Sequence, residues 1–304
     1  MFHVKHYTKN VVSQKKCRII TYIFLIKMFH VKHFYVIINY IIFLGGEKMS
    51  KIIAIANQKG GVGKTTTSIN LAACLAELNK RVLVIDSDLQ GNTSSGLGVD
   101  KNELEYTFYD LLLENATFEQ VKIEIDYFET LHILPSNIEL SGAEIEIINK
   151  DNREYLLKQI LDKVNDTYDY ILVDCPPSLN MLTINALTAA DTILVPLQCE
   201  YYALEGLSQL LYTINLVQKK LNPSLKIEGV VFTMFDARTN LSLQVVEEVK
   251  QHLGKNVYRS IIPRNVRLSE APSHGKPINL YDPKSKGAEA YMLLAEEVIY
   301  NQEG

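Results

Sequence analysis

Residues 57–66 read NQKGGVGKTT, and they sit between two different periodicities. Before them, Lys51–Ala56 (KIIAIA) is a short apolar run of the kind that forms a buried strand. After them, Lys64–Leu78 carries Ile69, Ala72, Ala73 and Ala76 at helical spacing. A strand, a glycine-rich turn and a helix in that order demand an α/β architecture. The same alternation continues. Arg81–Ile85, Leu131–Leu134, Tyr170–Val173, Thr192–Pro196 and Ile227–Thr233 read as strands. Thr107 is placed to cap a short helix through Leu113. Asn152–Val164 and Ser285–Tyr300 read as helices. Near-continuous apolar strands separated by helices predict a mostly parallel, twisted sheet flanked by helices on both faces. No repeat or low-complexity linker interrupts residues 49–304, so one domain is expected there.

The turn predicts chemistry as well as shape. Gly60, Gly61 and Gly63 let successive backbone N–H groups face an anion, with Val62 between them. The helix that follows presents its N-terminus to the same place. Lys64 is placed for the β and γ phosphates of a nucleotide and the Thr65 hydroxyl for Mg²⁺, with Thr66 also expected to bind the nucleotide. The strict pattern G-x-x-x-x-G-K-[ST] fails in one position, because Gln58 stands where its first glycine belongs. The reading is therefore a single-domain P-loop NTPase. Acids at strand ends complete it. Asp86 and Asp88 close the second strand and Asp174 closes YILVD, where ligands bind in open α/β sheets. Phosphoryl transfer to water asks for positioning and charge neutralisation, so no Ser–His or Cys–His nucleophile is needed. His132, His252 and His274 read as surface or packing residues. The four cysteines show no CxxC spacing, which argues against a zinc site or a disulfide framework.

Lys59 turns the loop into a deviant Walker A motif, xKGGxGK[ST]. On this motif, on DSDLQGN (86–92), on DARTNL (236–241) and on IPRNVRLSEAPSHGKPI (262–278), the chain resembles the ParA/MinD superfamily of dimeric ATPases. Within it, the chain is similar to chromosomal ParA, or Soj, proteins from Met49 essentially to its C-terminus. The resemblance implies ATP and Mg²⁺ as cofactors and a homodimer in which Lys59 reaches the other subunit's phosphates. It implies that Asp88 positions the attacking water, that Asp86 supports Mg²⁺ and its loop, and that Asp174 holds Mg²⁺ mostly through water. Leu89 replaces the family's proline in that loop. Adenine is implied to lie between Thr233–Asp236 and Ile262–Asn265, touching Pro263 and Asn265. Arg238 and Arg267 are implied to contact double-stranded DNA without sequence preference. A ParB-type partner bound to parS is implied to stimulate slow hydrolysis, in a cytoplasmic, nucleoid-associated protein.

The first 48 residues differ from the rest. They hold eight of the 31 basic residues, one of the 35 acidic ones and four of the seven histidines. The apolar run Phe34–Leu44 is only about half the roughly 20 residues a membrane span needs. No small-residue cleavage site follows it, which disfavours a signal peptide. The hexapeptide MFHVKH occurs at both Met1–His6 and Met28–His33. Back-translated as ATGTTTCACGTGAAACAT, it is a perfect inverted repeat that resembles parS. Gly45–Lys48 back-translates to a purine-rich ribosome-binding site ahead of Met49. The expectation is that translation starts at Met49 and that residues 1–48 are DNA sites read in frame. The alternative is a basic, histidine-containing arm.

The body left after residue 48 is acidic, yet Arg259–Lys286 contains six basic residues against Glu270 and Asp282. Such a patch fits DNA contact that gains strength when two copies act together. A membrane-cycling regulator would need a basic amphipathic C-terminal helix, and AYMLLAEEVIYNQEG is acidic, so no membrane partner is expected. A nucleotide-gated scaffold or a transcriptional or replication regulator is the remaining alternative.

Overall fold

The computed structural model describes residues 49–138, 142 and 146–303; the expectations for residues 1–48, including the start at Met49, lie outside the described residues. Eight strands form one sheet: β1 Lys51–Ile55, β2 Val82–Asp86, β3 Ile123–Ile125, β4 Phe128–Leu134, β5 Tyr170–Asp174, β6 Thr192–Gln198, β7 Lys226–Phe235 and β8 Val257–Pro263. Their spatial order is β3-β4-β2-β5-β1-β6-β7-β8. All neighbours are parallel except β3, which runs antiparallel to β4 at one edge.

Alternation along each strand feeds two cores. Ile53 and Ile55 face one layer with Val82 and Val84, while Ile52 and Ala54 face the other with Leu83 and Ile85. Both layers are covered by helices. Those used below are α1 Lys64–Glu77, α2 Asn92–Gly96, α3 Phe108–Leu112, α4 Phe118–Val121, α5 Leu156–Leu161, α6 Met181–Ala189, α7 Ala203–Lys220, α8 Asn240–Leu253, α9 Val266–Glu270, α10 Ile278–Tyr281 and α11 Lys286–Glu303. The sheet with helices on both faces is the expected class.

Several elements depart from expectation. The predicted apolar stripe on α1 is wider than Ile69, Ala72, Ala73 and Ala76. Leu71, Cys74 and Leu75 are buried too, because α1 also packs against α11, where the Tyr291 and Thr67 hydroxyls meet at 3.2 Å. The predicted helix over 152–164 is a 3₁₀ turn at Arg153–Tyr155 followed by the shorter α5. The Thr107 cap is present as a capping box with Asp110.

β3 and β8 were not read as strands. β8 is an edge, and Glu297 of α11 accepts hydrogen bonds from the backbone N–H of Arg259 (2.8 Å) and of Ser260 (3.0 Å). Occupying edge donors with a side chain is one way a sheet edge is kept from pairing with another chain. Cys74, Cys175 and Cys199 are buried and free, and burial pushes the Cys74 thiol up to about 12 and Cys199 up to about 11. They pack as small hydrophobes.

Candidate active site

The parallel strands all point their carboxyl ends at one edge of the sheet, and a cavity of about 470 Å³ opens there. That volume suits a small ligand. Its floor is the loop between β1 and α1. Asn57 is buried, donates from Nδ2 to the Pro196 carbonyl (2.8 Å) and accepts from the Lys59 N–H (3.0 Å), so the loop is tied to β6. Gly61 and Gly63 have φ of 73° and 87°, in the left-handed region. Open space surrounds a Cβ added at Gly61, and one at Gly63 meets only ordinary contacts, so conformation rather than room demands glycine. Val62 is fully buried beneath them, its carbonyl accepting from Thr233 Oγ1 at 2.7 Å.

Apart from Val62, buried beneath the loop, the expected residues divide into three groups. Gly60, Gly61, Gly63, Lys64, Thr65, Thr66, Asp88, Pro263 and Asn265 line the one cavity. Asp86 and Asp174 lie directly behind it, fully buried and opposite each other in the β2–β5 register. Lys59, Arg238 and Arg267 point to other surfaces.

Lys64 is buried, and its ammonium donates to the Lys59 carbonyl at 3.1 Å. Burial lowers its pKa, opposed by the charges of Asp174, Cys175 and Asp88. A desolvated cation facing a glycine nest is suited to an anion. Asp174 is held by three hydroxyls. Thr65 (2.9 Å) and Thr93 (2.7 Å) donate to Oδ2, and Ser68 (2.9 Å) donates to Oδ1. Burial raises its pKa, and these donors pull it back. Asp86 accepts the Ser94 N–H (2.8 Å) and hydroxyl (2.7 Å) on one oxygen and the Asp88 N–H (3.3 Å) on the other. Burial, then the charge of Asp174, pushes it up to about 7. Its oxygens thus fix the start of α2 and the Asp88 loop. Asp88 is half-buried and accepts the Gln90 N–H at 3.0 Å, a tight turn around its own carboxylate.

The arrangement fits a nucleotide with its divalent cation. The cavity wall offers a buried ammonium, a left-handed glycine pair and a threonine hydroxyl backed by a carboxylate. Those are the groups that phosphate and a hydrated hard cation require. Sequence reasoning missed Thr93 and Ser68, which cradle Asp174, and Asn57, which anchors the loop. A serine or threonine near a helix start carries no sign of which distant carboxylate it will meet.

On the far side, Pro263 ends β8 and Asn265 caps α9, its side-chain oxygen accepting the Arg267 N–H at 2.8 Å. Lys59 forms an ion pair with Glu200, just past β6, beside the exposed Tyr201 and Tyr202. Arg238 donates to Asp236 from Nε at 2.9 Å and from Nη2 at 2.7 Å. Arg267 binds Glu270 at 2.8 Å, with Asp282 at 3.5 Å. His132 contacts the Tyr168 hydroxyl, His252 the Glu248 carbonyl and His274 stacks on Tyr281, in keeping with packing roles.

Residues 50–227 match the family model described as an AAA domain. The chain is 60% identical over 253 residues to the sporulation initiation inhibitor protein Soj of Bacillus subtilis, covering 83% of this chain and 100% of that protein. It is 54% identical to the chromosome partitioning protein ParA of Myxococcus xanthus, covering 84% and 90%. Among solved structures, cobyrinic acid a,c-diamide synthase of Mycobacterium smegmatis with bound ADP and magnesium is 38% identical. It covers 84% of this chain and 96% of its own, with a TM-score of 0.74.

Proposed function

Because the chain belongs to the Soj/ParA family of chromosome-partitioning P-loop ATPases, we propose that it hydrolyses ATP with Mg²⁺ to time its hold on DNA. The observation that carries this reading is the link between Thr65 and Asp174, a hydroxyl–carboxylate pair beside the buried Lys64 at the phosphate end of the cavity. Mg²⁺, when bound, supplies neutralisation of the charge that develops on the transferred phosphoryl group.

The chain's own residues do the rest. The Gly60–Gly63 turn and the α1 N-terminus hold the phosphates, and Lys64 balances their charge. Thr65 is the hydroxyl offered to the cation, with Asp174 orienting it from behind. Asp88 orients the attacking water. Asp86, buried and committed to Ser94, keeps the Asp88 loop in place. The base rests against Pro263 and Asn265.

ATP brings two copies together in this reading, and Lys59 leaves Glu200 to reach the phosphates of the other copy. The paired subunits bind double-stranded DNA without sequence preference through Arg238 and Arg267, both exposed. Two weak patches joined in one particle gain by effective concentration. A ParB-type partner at parS stimulates slow hydrolysis, and the copies separate. The cycle places the protein in the cytoplasm on the nucleoid. Among the described residues no helix is long and apolar enough to cross a membrane.

The test is Asp88→Ala. Expected is a variant that binds ATP, forms dimers and stays on DNA, with turnover reduced at least about a hundredfold. Normal turnover would remove Asp88 from the mechanism. In the parent, steady-state turnover that stays flat when DNA and ParB are both added would refute the partitioning cycle and leave a nucleotide-gated scaffold.

A further inference from the structure

We propose that the backbone of Ser136 is the seat on which the Asp88 turn rests, with Gly91 and Ser94 as the positioning residues that hold the turn to it. This deepens the ATPase reading and rests on its assignment of Asp88 to the attacking water.

β2 and β4 are parallel neighbours whose last paired residues are Ile85 and Leu134. The chains that leave them therefore start side by side. One becomes the Asp88–Gly91 turn and then α2, and the other passes through Pro135 and Ser136. Ser94 Oγ joins the two. It donates to Asp86 at 2.7 Å and accepts the Ser136 N–H at 3.0 Å. Asp86, Ser94 and Ser136 are all fully buried, so a lost partner leaves a polar group unsatisfied.

The second contact is steric. Gly91 has φ 59°, and its N–H closes the turn on the Asp88 carbonyl at 2.9 Å. A Cβ added at Gly91 would overlap the Ser136 carbonyl oxygen and would lie 2.6 Å from Lys101 Cδ. The lysine stem can swing away, but the carbonyl cannot. The adjacent Pro135 carbonyl accepts the Phe108 N–H at 2.8 Å, at the capped start of α3. Gly91 is thus required for room as well as for conformation, unlike the glycines of the phosphate loop.

The rest of the turn is tied down too. The Asp88 N–H donates to Asp86 at 3.3 Å, Leu89 packs on the core, and the Lys101 ammonium donates to the Gln90 carbonyl at 2.7 Å. Asp88 lines the cavity, whereas Gly91, Ser94 and Ser136 do not. Lifting the turn off its seat would shift Asp88 relative to the phosphates and leave the phosphate-binding groups in place. A misplacement of about 1 Å costs about a hundredfold in rate.

Three variants test this by single-turnover hydrolysis and by calorimetric ATP affinity. Gly91→Ala puts a methyl group on the seat. Ser94→Ala breaks the bridge, and Ser94→Thr keeps the hydroxyl. Gly91→Ala and Ser94→Ala are expected to hydrolyse ATP about ten- to a hundredfold more slowly, with ATP affinity within about threefold of the parent. Ser94→Thr is expected to recover most of the rate. Added to Asp88→Ala, Gly91→Ala should cost no further rate, because both act through one carboxylate. If Gly91→Ala fails to fold, Ser94→Ala decides. Hydrolysis within about twofold of the parent in both folded variants would overturn the proposal. So would a loss of ATP affinity equal to the loss of rate, or a further loss in the Asp88→Ala background. Normal turnover by Asp88→Ala itself would sink the assignment of Asp88, and the seat with it. An impaired Asp88→Ala beside normal Gly91→Ala and Ser94→Ala would sink the seat alone.

Discussion

Two regions of this molecule hold charges in contrasting ways. Around Asp174 the carboxylate is fully buried and met by three hydroxyls from α1 and from Thr93 in α2. At Arg238 and Arg267 the charges lie in the open, each paired with a carboxylate only a few residues away. A buried charge must be fully satisfied or the fold suffers, so its partners are fixed in one geometry. An exposed ion pair has water as an alternative partner and contributes little to stability. The interior cage suits a group that must be in place before a ligand arrives. The surface pairs suit a cation that exchanges its carboxylate for a phosphate.

The largest effect belongs to the interior. Lys64→Ala removes the buried ammonium that lines the cavity. ATP binding by calorimetry is expected to weaken at least about a hundredfold, as for the loss of a charged group on a phosphate. Next is Thr93→Val, which leaves one Asp174 oxygen short of a donor at constant shape. Denaturant unfolding should show about 1–3 kcal/mol of lost stability. If stability is unchanged, the cage is looser than the hydrogen bonds imply.

On the surface, Arg267→Glu should keep ATP-dependent dimerisation while DNA affinity drops about tenfold or more and its salt slope becomes shallower. Unchanged retention on DNA would move the patch elsewhere. The smallest effect sharpens the comparison most. Glu270→Gln removes the nearer carboxylate of Arg267 and leaves Asp282 at 3.5 Å, and it is expected to strengthen DNA binding by no more than about fivefold. A weakening would show that Glu270 orients the arginine for DNA rather than competing with it.

Legibility in the sequence followed the range of the interactions. The β1–α1 loop was readable because its determinants are neighbours. Glycine at 61 and 63, Lys64 and Thr65 act through local backbone conformation and the start of one helix. The apolar strands were readable because burial on both faces leaves a continuous run of the kind seen in YILVD. β8 escaped because Arg259 and Ser260 interrupt the run VYRSIIP, and an edge strand has one side open for polar residues. The helix over 152–164 was overextended because periodicity does not mark where a 3₁₀ turn yields to an α-helix.

Sequence alone determined the class of fold, the phosphate loop and the acids at strand ends, because local periodicity and backbone freedom are encoded residue by residue. Only the tertiary structure decided which acids share a wall. Asp86 and Asp174 became neighbours through the parallel register of β2 and β5. It also decided that Lys59 rests on Glu200, and that Gly91 meets the Ser136 carbonyl. Each of those outcomes depends on strands far apart in the chain meeting at one edge of a sheet, and no local pattern carries that register.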